Sequence, residues 1–297
     1  MSAIPLRPLG FGEILDRAFT LYRHHFLVLF ITALVYSIPL SLVSGMMASA
    51  AAAEDPEAMG FGWLGVFLVI GPVVVVGWAA LTRATAQAVT GGEVSVGDSY
   101  RRGLRAFLPL LGAIVVGYIA LVVVMMVLGA VVAFGGGRLI GALGGGFDTG
   151  AGGVLFATMF GLVFALVAIM AFAALFAVAQ AVVVERLGPL AALRRSWQLS
   201  RGARLRVVGV VLVSWLIVML PWMGVMLAAG LGTSIFDPAA AASMSTTQIV
   251  FQQGVGFLSG TLTFPFLVAC LTVLYYDRRV RTEAYDLEVA TEGLASV

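Results

Sequence analysis

Six stretches of this chain contain no Asp, Glu, Lys or Arg, and each is long enough to cross a lipid bilayer as a helix. They run near Phe26–Ala48, Gly62–Thr82, Phe107–Phe134, Val154–Val184, Val207–Leu231 and Phe251–Tyr275. A helix rises about 1.5 Å per residue, so about 20 apolar residues cover the roughly 30 Å of hydrocarbon. Within that hydrocarbon the backbone must satisfy its own hydrogen bonds, which leaves the helix as the natural solution for apolar runs of this length. The expected fold is therefore an all-α integral membrane protein with six transmembrane helices. Composition agrees: 61% of the 297 residues are hydrophobic and 11% are charged, with a mean hydropathy of +1.06. A soluble domain, a disordered chain and a basic nucleic-acid binder are all excluded on those figures.

All 17 basic residues are Arg. The absence of Lys removes a Walker A phosphate loop, a Schiff-base lysine and a lysine general base. One cysteine, Cys270, lies in the sixth run, so neither an intrachain disulfide nor a multi-thiolate metal site can form. Between spans one and two, three and four, and five and six stand Glu54, Asp55, Glu57, Arg138, Asp148 and Asp237, with a single Arg among them. The other 16 lie in the remaining segments. Short Arg-rich loops stay in the cytoplasm during insertion, which predicts both termini on that side. Met1–His25 carries charges of both signs and is not read as a signal peptide.

The chain reads as one membrane domain of three units, about 1–92, 93–186 and 187–297, each an interfacial helix, an outgoing span and a returning span. The interfacial stretches are Phe11–Arg23, with Leu15, Phe19, Tyr22 and Phe26 on one face and Glu13 paired to Arg17; Ser95–Arg105, with a Ser95/Asp98 capping box and a stripe of Val96, Tyr100, Leu104 and Phe107; and a third opening at Gly188-Pro189, with Leu190, Leu193 and Trp197 on its stripe. Ala80, Ala84 and Ala88 with Gln87 recur 93 residues later as Ala173, Ala177 and Ala181 with Gln180. Such small-residue stripes suit close packing between spans, and Gly161 with Ala165 extends the stripe in span four. The three hairpins would be parallel about the membrane normal, unlike the inverted repeats of many transporters.

Candidate lipid-headgroup contacts are Arg17, Arg23, Arg101, Arg102, Arg105, Arg194, Arg195, Arg201, Arg204 and Arg206, because guanidinium forks match phosphate oxygens. The group from Arg194 to Arg206 is the densest and the first choice, although setting topology accounts for much of this charge on its own. Pro39, Pro72, Pro221 and Pro265 fall inside spans and are candidate kinks, with Thr261, Thr263, Gln252 and Gln253 as polar groups that would wet a cavity. His24 and His25 point about 100° apart on a helix and make poor joint ligands. Gly60-Phe61-Gly62-Trp63-Leu64-Gly65 matches GxGxxG but opens a membrane span instead of following a strand, so no nucleotide site is expected. Gly135–Gly153 reads as a flexible outer loop, and Cys270 as a small core residue. No carboxylate, His or Arg lies at bilayer depth, which argues against proton- or ion-coupled transport and against intramembrane acid–base chemistry. No catalytic residue, cofactor or metal site is expected.

Three motifs carry a resemblance. They are Arg7-Pro8-Leu9-Gly10-Phe11-Gly12-Glu13-Ile14-Leu15-Asp16-Arg17-Ala18-Phe19 with Tyr22-Arg23; Glu185-Arg186-Leu187-Gly188-Pro189 with Leu193-Arg194-Arg195-Ser196-Trp197-Gln198-Leu199; and Tyr275-Tyr276-Asp277-Arg278-Arg279-Val280-Arg281 with Glu283-Ala284-Tyr285-Asp286-Leu287-Glu288. Together they resemble the bacterial membrane-domain family named after glycerophosphoryl diester phosphodiesterase. The resemblance implies a stand-alone membrane module without the catalytic barrel, since this chain has no His-Arg-Gly motif and no His besides His24 and His25.

The leading expectation is a non-enzymatic module in the bacterial plasma membrane that contacts anionic lipids and organises or regulates a membrane-protein partner at the cytoplasmic face. The alternative is a transporter or lipid translocase with a cavity between the three hairpins. A phosphodiesterase activity of the chain itself is not expected, nor is a nucleic-acid partner.

Overall fold

The structure is a computed structural model that describes residues 7–52, 68, 70–142, 151–232 and 244–283. Among these residues every regular element is helical: α1 (Phe11–His24), α2 (Phe26–Ala52), α3 (Gly71–Val89), α4 (Val96–Ala142), α5 (Ala151–Ala174), α6 (Val178–Val183), α7 (Pro189–Ser200), α8 (Arg204–Ala228) and α9 (Thr246–Glu283). Five helices are long and apolar enough to cross a membrane, over Phe26–Met47, Val96–Val131, Phe160–Val183, Arg204–Ala228 and Thr246–Glu283. The expected second span is described only in its later part, where α3 carries Arg83 and Gln87. Glu54, Asp55, Glu57, Asp148, Asp237, the Gly60–Gly65 match and the Ala284–Glu288 part of the tail lie outside the described residues.

The interior is built at the Arg-bearing end from α3, α6 and α9. On α3, Ala79 to Ala86 is buried apart from the half-buried Arg83; α6 is buried throughout, and α9 from Val268 to Arg278. Burial on consecutive residues means that these helices are surrounded on every face. Helix α3 packs against both α6 and α9, and α9 also meets α1, α2, α7 and α8. The Ala80-Ala84-Ala88 and Ala173-Ala177-Ala181 runs all face this interior, none more than 8% exposed. Small residues let backbones approach. A Cβ on Gly103 of α4 would stand 2.9 Å from the carbonyl oxygen of Val76, and one on Gly77 would stand 2.5 Å from the Tyr36 ring. Between α3 and α9 the hydroxyls of Thr85 and Thr272 meet at 2.9 Å. The outer surface is the reverse, with large apolar side chains such as Leu108, Tyr118, Met126 and Val127 exposed along α4, as contact with acyl chains requires.

The same inversion decides how the residues of the interfacial helices are oriented. On α1 the buried residues are Ile14, Ala18 and Leu21, while Phe19 is 55% exposed and Phe26 lies at the surface. On α4 Ser99, Gly103, Ala106 and Leu110 face inward, and Leu104 is 64% exposed. On α7 Ala192, Ser196 and Leu199 are buried, and Leu190 and Trp197 are exposed. In water the largest apolar residues would take the inner face. Lipid is as apolar as leucine, so close packing of small residues decides instead.

Chain continuity also differs from expectation. The second interfacial stretch and the span after it form one unbroken helix, α4, of 47 residues and about 70 Å. In the first unit the chain turns at His25 (φ −108°, ψ 22°), and in the third at Gly202 (φ +72°). Arg105-Ala106-Phe107 holds no residue that would end a helix, and Pro109 sits inside it. Helix also runs through Gly135–Ala142 and resumes at Ala151, where a flexible loop was expected, because a helix keeps these carbonyls and amides paired as they leave the bilayer. Conversely, the expected fourth span breaks at Leu175–Ala177. Ser196 of α7 repairs the break: its hydroxyl donates to the carbonyl of Ala174 at 2.8 Å and accepts the amide of Ala177 at 3.0 Å.

Candidate functional site

The three motifs of the sequence converge at the Arg-bearing rim. Asp277, with a fully buried side chain, accepts the amide of Leu9 at 2.8 Å and Nε of Arg281 at 3.0 Å. The Leu9 carbonyl in turn accepts Nη2 of Arg281 at 2.6 Å and Nη2 of Arg206. Both backbone groups of one N-terminal residue are thus held by side chains of α8 and α9. Arg278 donates to the carbonyls of Leu199 (2.8 Å) and Arg201 (3.2 Å), which closes the C-terminal end of α7 with a positive charge, where the helix dipole favours one. Beside it, Arg195 donates through Nε to both oxygens of Glu185 at 2.9 Å and through its two terminal nitrogens to Glu283. The Tyr275 hydroxyl also donates to Glu185. Hydrogen bonds donated to Glu283 and then to Glu185 hold the Arg195 guanidinium well above its ordinary pKa, against the effect of burial.

This network takes two of the predicted headgroup residues out of contention. Arg195 and Arg206 serve as internal fasteners, and Arg204 stacks on Trp197 at 4.2 Å. Arg23, Arg101, Arg194 and Arg201 are exposed on α1, α4 and at the end of α7. Arg17 lies half-buried on α1. Glu13 accepts the amide of Gly10 at 2.6 Å and Nη2 of Arg7 at 2.5 Å, with the charge of its expected partner Arg17 also acting on it. The backbone donor and then the Arg7 charge hold its carboxyl below the usual range. A carboxylate in the first turn satisfies one of the free backbone donors there, the Gly10 amide.

A pocket of about 360 Å³ opens between α4 and the segment that joins α6 to α7. Arg102, Arg105 and Arg186 line it, with Ala106, Pro109, Val182 and Val183 as apolar wall. Asp98 pairs with Arg102 at 3.1 Å and Arg83 at 3.8 Å and accepts the Gln87 amide at 3.2 Å. Those charged partners replace the expected Ser95/Asp98 capping box, because ionic hydrogen bonds outcompete a neutral cap. Repulsion from Arg102 and Arg186 reaches Arg83. One carboxylate therefore stands against four guanidiniums, and those of Arg105 and Arg186 make no ion pair or hydrogen bond among the described residues. Arg186 was not singled out from the sequence. The signal that marks it is conformational: its φ is +57°, a region entered elsewhere in the described chain only by Gly91, Gly202 and Gly230.

A second cavity, of about 600 Å³, lies among α4, α5 and α8 and is almost wholly apolar. Trp78, Tyr118, Phe172, Phe176, Leu193 and Trp215 contribute its aromatic and branched wall. The expected kink residues are placed elsewhere. Pro39, Pro221 and Pro265 do lie inside α2, α8 and α9, but Pro72 stands in the first turn of α3, where its missing amide costs nothing. Pro265 is buried among packed helices, and the Tyr22 hydroxyl donates to the carbonyl of Leu262 at 2.6 Å, three residues before the proline. Thr261 and Thr263 bond the carbonyls of Phe257 and Ser259 in their own helix. Gln253 bonds Ser44 of α2. None of these residues lines either cavity.

Residues 13–278 match the family described as Domain of unknown function (DUF7847). The chain belongs to that family. The match takes in the basic pocket, the apolar cavity and the rim residues up to Arg278, and leaves out Leu9, Arg281 and Glu283. No curated protein and no solved structure matches the chain. Among the described residues no group of three or more His, Cys, Asp or Glu side chains is placed to hold a metal ion.

Proposed function

We propose that this DUF7847 chain is a non-enzymatic, multi-pass module of the bacterial plasma membrane that contacts anionic lipid at the cytoplasmic face. One observation carries the reading. Three helices present outward a face that combines exposed Arg with exposed large apolar side chains: Arg23 with Phe19 on α1, Arg101 with Leu104 on α4, and Arg194 with Leu190 and Trp197 on α7. A face of that composition suits the boundary between headgroups and acyl chains. Resemblance to a stand-alone membrane domain without its catalytic barrel supports the non-enzymatic part. The same rim is where a membrane-protein partner would be organised or regulated, and co-purification in native nanodiscs would reveal one.

Lipid analysis of the immediate shell tests the proposal. Each Arg near an anionic surface contributes about 1 kcal/mol. Replacing Arg23, Arg101, Arg194 and Arg201 together with Gln should therefore lower the enrichment of phosphatidylglycerol over phosphatidylcholine by about tenfold or more. An unchanged ratio in a folded, inserted variant refutes the reading. The apolar cavity favours a second reading, a lipid translocase, because its wall suits an acyl chain and not an ion. Flipping of labelled phospholipid in proteoliposomes above the protein-free rate would support it.

A further inference from the structure

We propose that the pocket between α4 and the α6–α7 segment is a discrete site for one phosphate ester, the headgroup of an acidic phospholipid, gripped by Arg105 and Arg186 with Arg102 at its edge. The inference rests on the reading of the chain as a lipid-contacting module and adds a single site to that diffuse contact.

Charge is the first argument. Asp98 is already shared by Arg83, Arg102 and Gln87, so the positive charge of Arg105 and Arg186 is uncompensated where the walls are partly apolar. A phosphate diester supplies the missing negative charge and enough acceptor oxygens for two guanidinium forks. Shape is the second. At about 30 Å³ per water, a volume of about 360 Å³ exceeds what a bare phosphate ion needs, and Pro109, Val182 and Val183 give one side an apolar wall. An amphipathic pocket of that size fits a phosphate with the first carbons of its ester, and fits a free ion less well.

Backbone conformation is the third. The left-handed region costs a non-glycine residue on the order of 1 kcal/mol or more, and helix ends that use it usually place Gly there. The chain leaves α6 through Arg186 in this conformation, with the amide of Leu187 bonded to the carbonyl of Ala181 at 3.3 Å. Gly112 of α4 lies so close to Pro189 that a Cβ would stand 2.9 Å from its ring, which fixes the segment against α4. A strained Arg on a clamped segment beside an unneutralised pocket is explained by what its side chain binds.

Substitution of Arg186 separates the site from the fold. Arg186→Gly relieves the backbone, so the variant should be at least as stable as the native chain while it loses its ligand; Arg105→Gln tests the opposite wall. The measurement is native mass spectrometry of the full chain released from nanodiscs of phosphatidylcholine doped with phosphatidylglycerol, scored for lipid retained at one per chain. Loss of one charge-assisted contact should lower retention about tenfold or more in each variant. Inorganic phosphate added as competitor distinguishes the sources: displacement at modest concentration would identify a free-phosphate site and overturn the lipid assignment. Retention at the native level in both variants overturns the site altogether. If Arg194→Gln lowers bulk enrichment while those two variants keep their single lipid, the pocket assignment fails and the module reading stands. If anionic lipid is neither enriched nor retained by the native chain, both fail.

Discussion

Replacing Ser196 with Ala removes one hydroxyl that does two jobs at the break between α5 and α6. Its loss strips the carbonyl of Ala174 and the amide of Ala177 of their partner at 2.8 and 3.0 Å, and both alanines are 2% exposed or less. Two magnitudes compete. Polar contacts between helices of a membrane bundle average only about 0.6 kcal/mol, because a released group finds another partner. A buried backbone group that finds none costs about 1–3 kcal/mol. Here the chain is not helical at Leu175–Ala177, so no intrahelical partner is waiting, and the second figure applies: about 2–6 kcal/mol for the pair. Ser200 provides the control. It is equally buried, but its hydroxyl donates to Trp197 in its own helix, so Ser200→Ala should cost under about 1 kcal/mol. Equilibrium unfolding in mixed micelles gives the difference, and hydrogen exchange at Ala177 gives its location. If Ser196→Ala is no less stable than Ser200→Ala and exchange at Ala177 is unchanged, the claim that Ser196 maintains the break is wrong.

Three further outcomes follow from the same packing. Gly77→Ala places a methyl 2.5 Å from the Tyr36 ring and should destabilise by about 1–3 kcal/mol, read as a lower midpoint in the same unfolding assay. Gln180 is fully buried, with neither amide atom hydrogen-bonded; Gln180→Leu should raise stability by about 1 kcal/mol or more, and a loss would mean that the amide has a partner such as buried water. His25 has its pKa lowered by burial and then by His24. Folded and unfolded chains are both neutral there above about pH 7, and the folded state resists protonation, so stability falls as pH drops through about 6.5. Thermal unfolding between pH 7.5 and 5 should show that fall, and His25→Gln should reduce it.

The features legible in the sequence are those fixed by one residue's own chemistry. Gly188-Pro189 announces the start of α7 because Pro suits a first helical turn, and the charge-free runs announce helices because hydrocarbon leaves the backbone no other partner. Direction around each helix is harder to read. The stripe of Phe19 and Leu104 points outward because lipid solvates it, while Ala18 and Gly103 pack inward; a hydrophobic periodicity cannot distinguish those two faces when the solvent is apolar. The break in span four was hidden because the side chain that satisfies it, Ser196, lies about 20 residues away in the chain. Among the Arg residues, type alone did not separate fasteners from free cations. Arg195 and Arg206 are consumed by Glu185, Glu283, Leu9 and Asp277, and Arg186 gains its place from a backbone torsion that no residue pattern encodes.

The clamp on Leu9 also imposes an order on biosynthesis. Its amide meets Asp277 across 268 positions of sequence. At about 5–20 residues per second, Asp277 leaves the ribosome tens of seconds after Leu9. Leu9 waits throughout that interval, and Arg206 from its own synthesis onward, without Asp277, and α3 and α6 lack the helix that encloses them until α9 is made. Arrival of α9 therefore completes the apolar interior and closes the rim network in one late event. A nascent chain stopped before Pro265 keeps the apolar cluster of α3, α4, α6 and α7 but lacks the helix that joins it to α1, α2 and α8, which makes the final span the point at which the two halves of the interior are united.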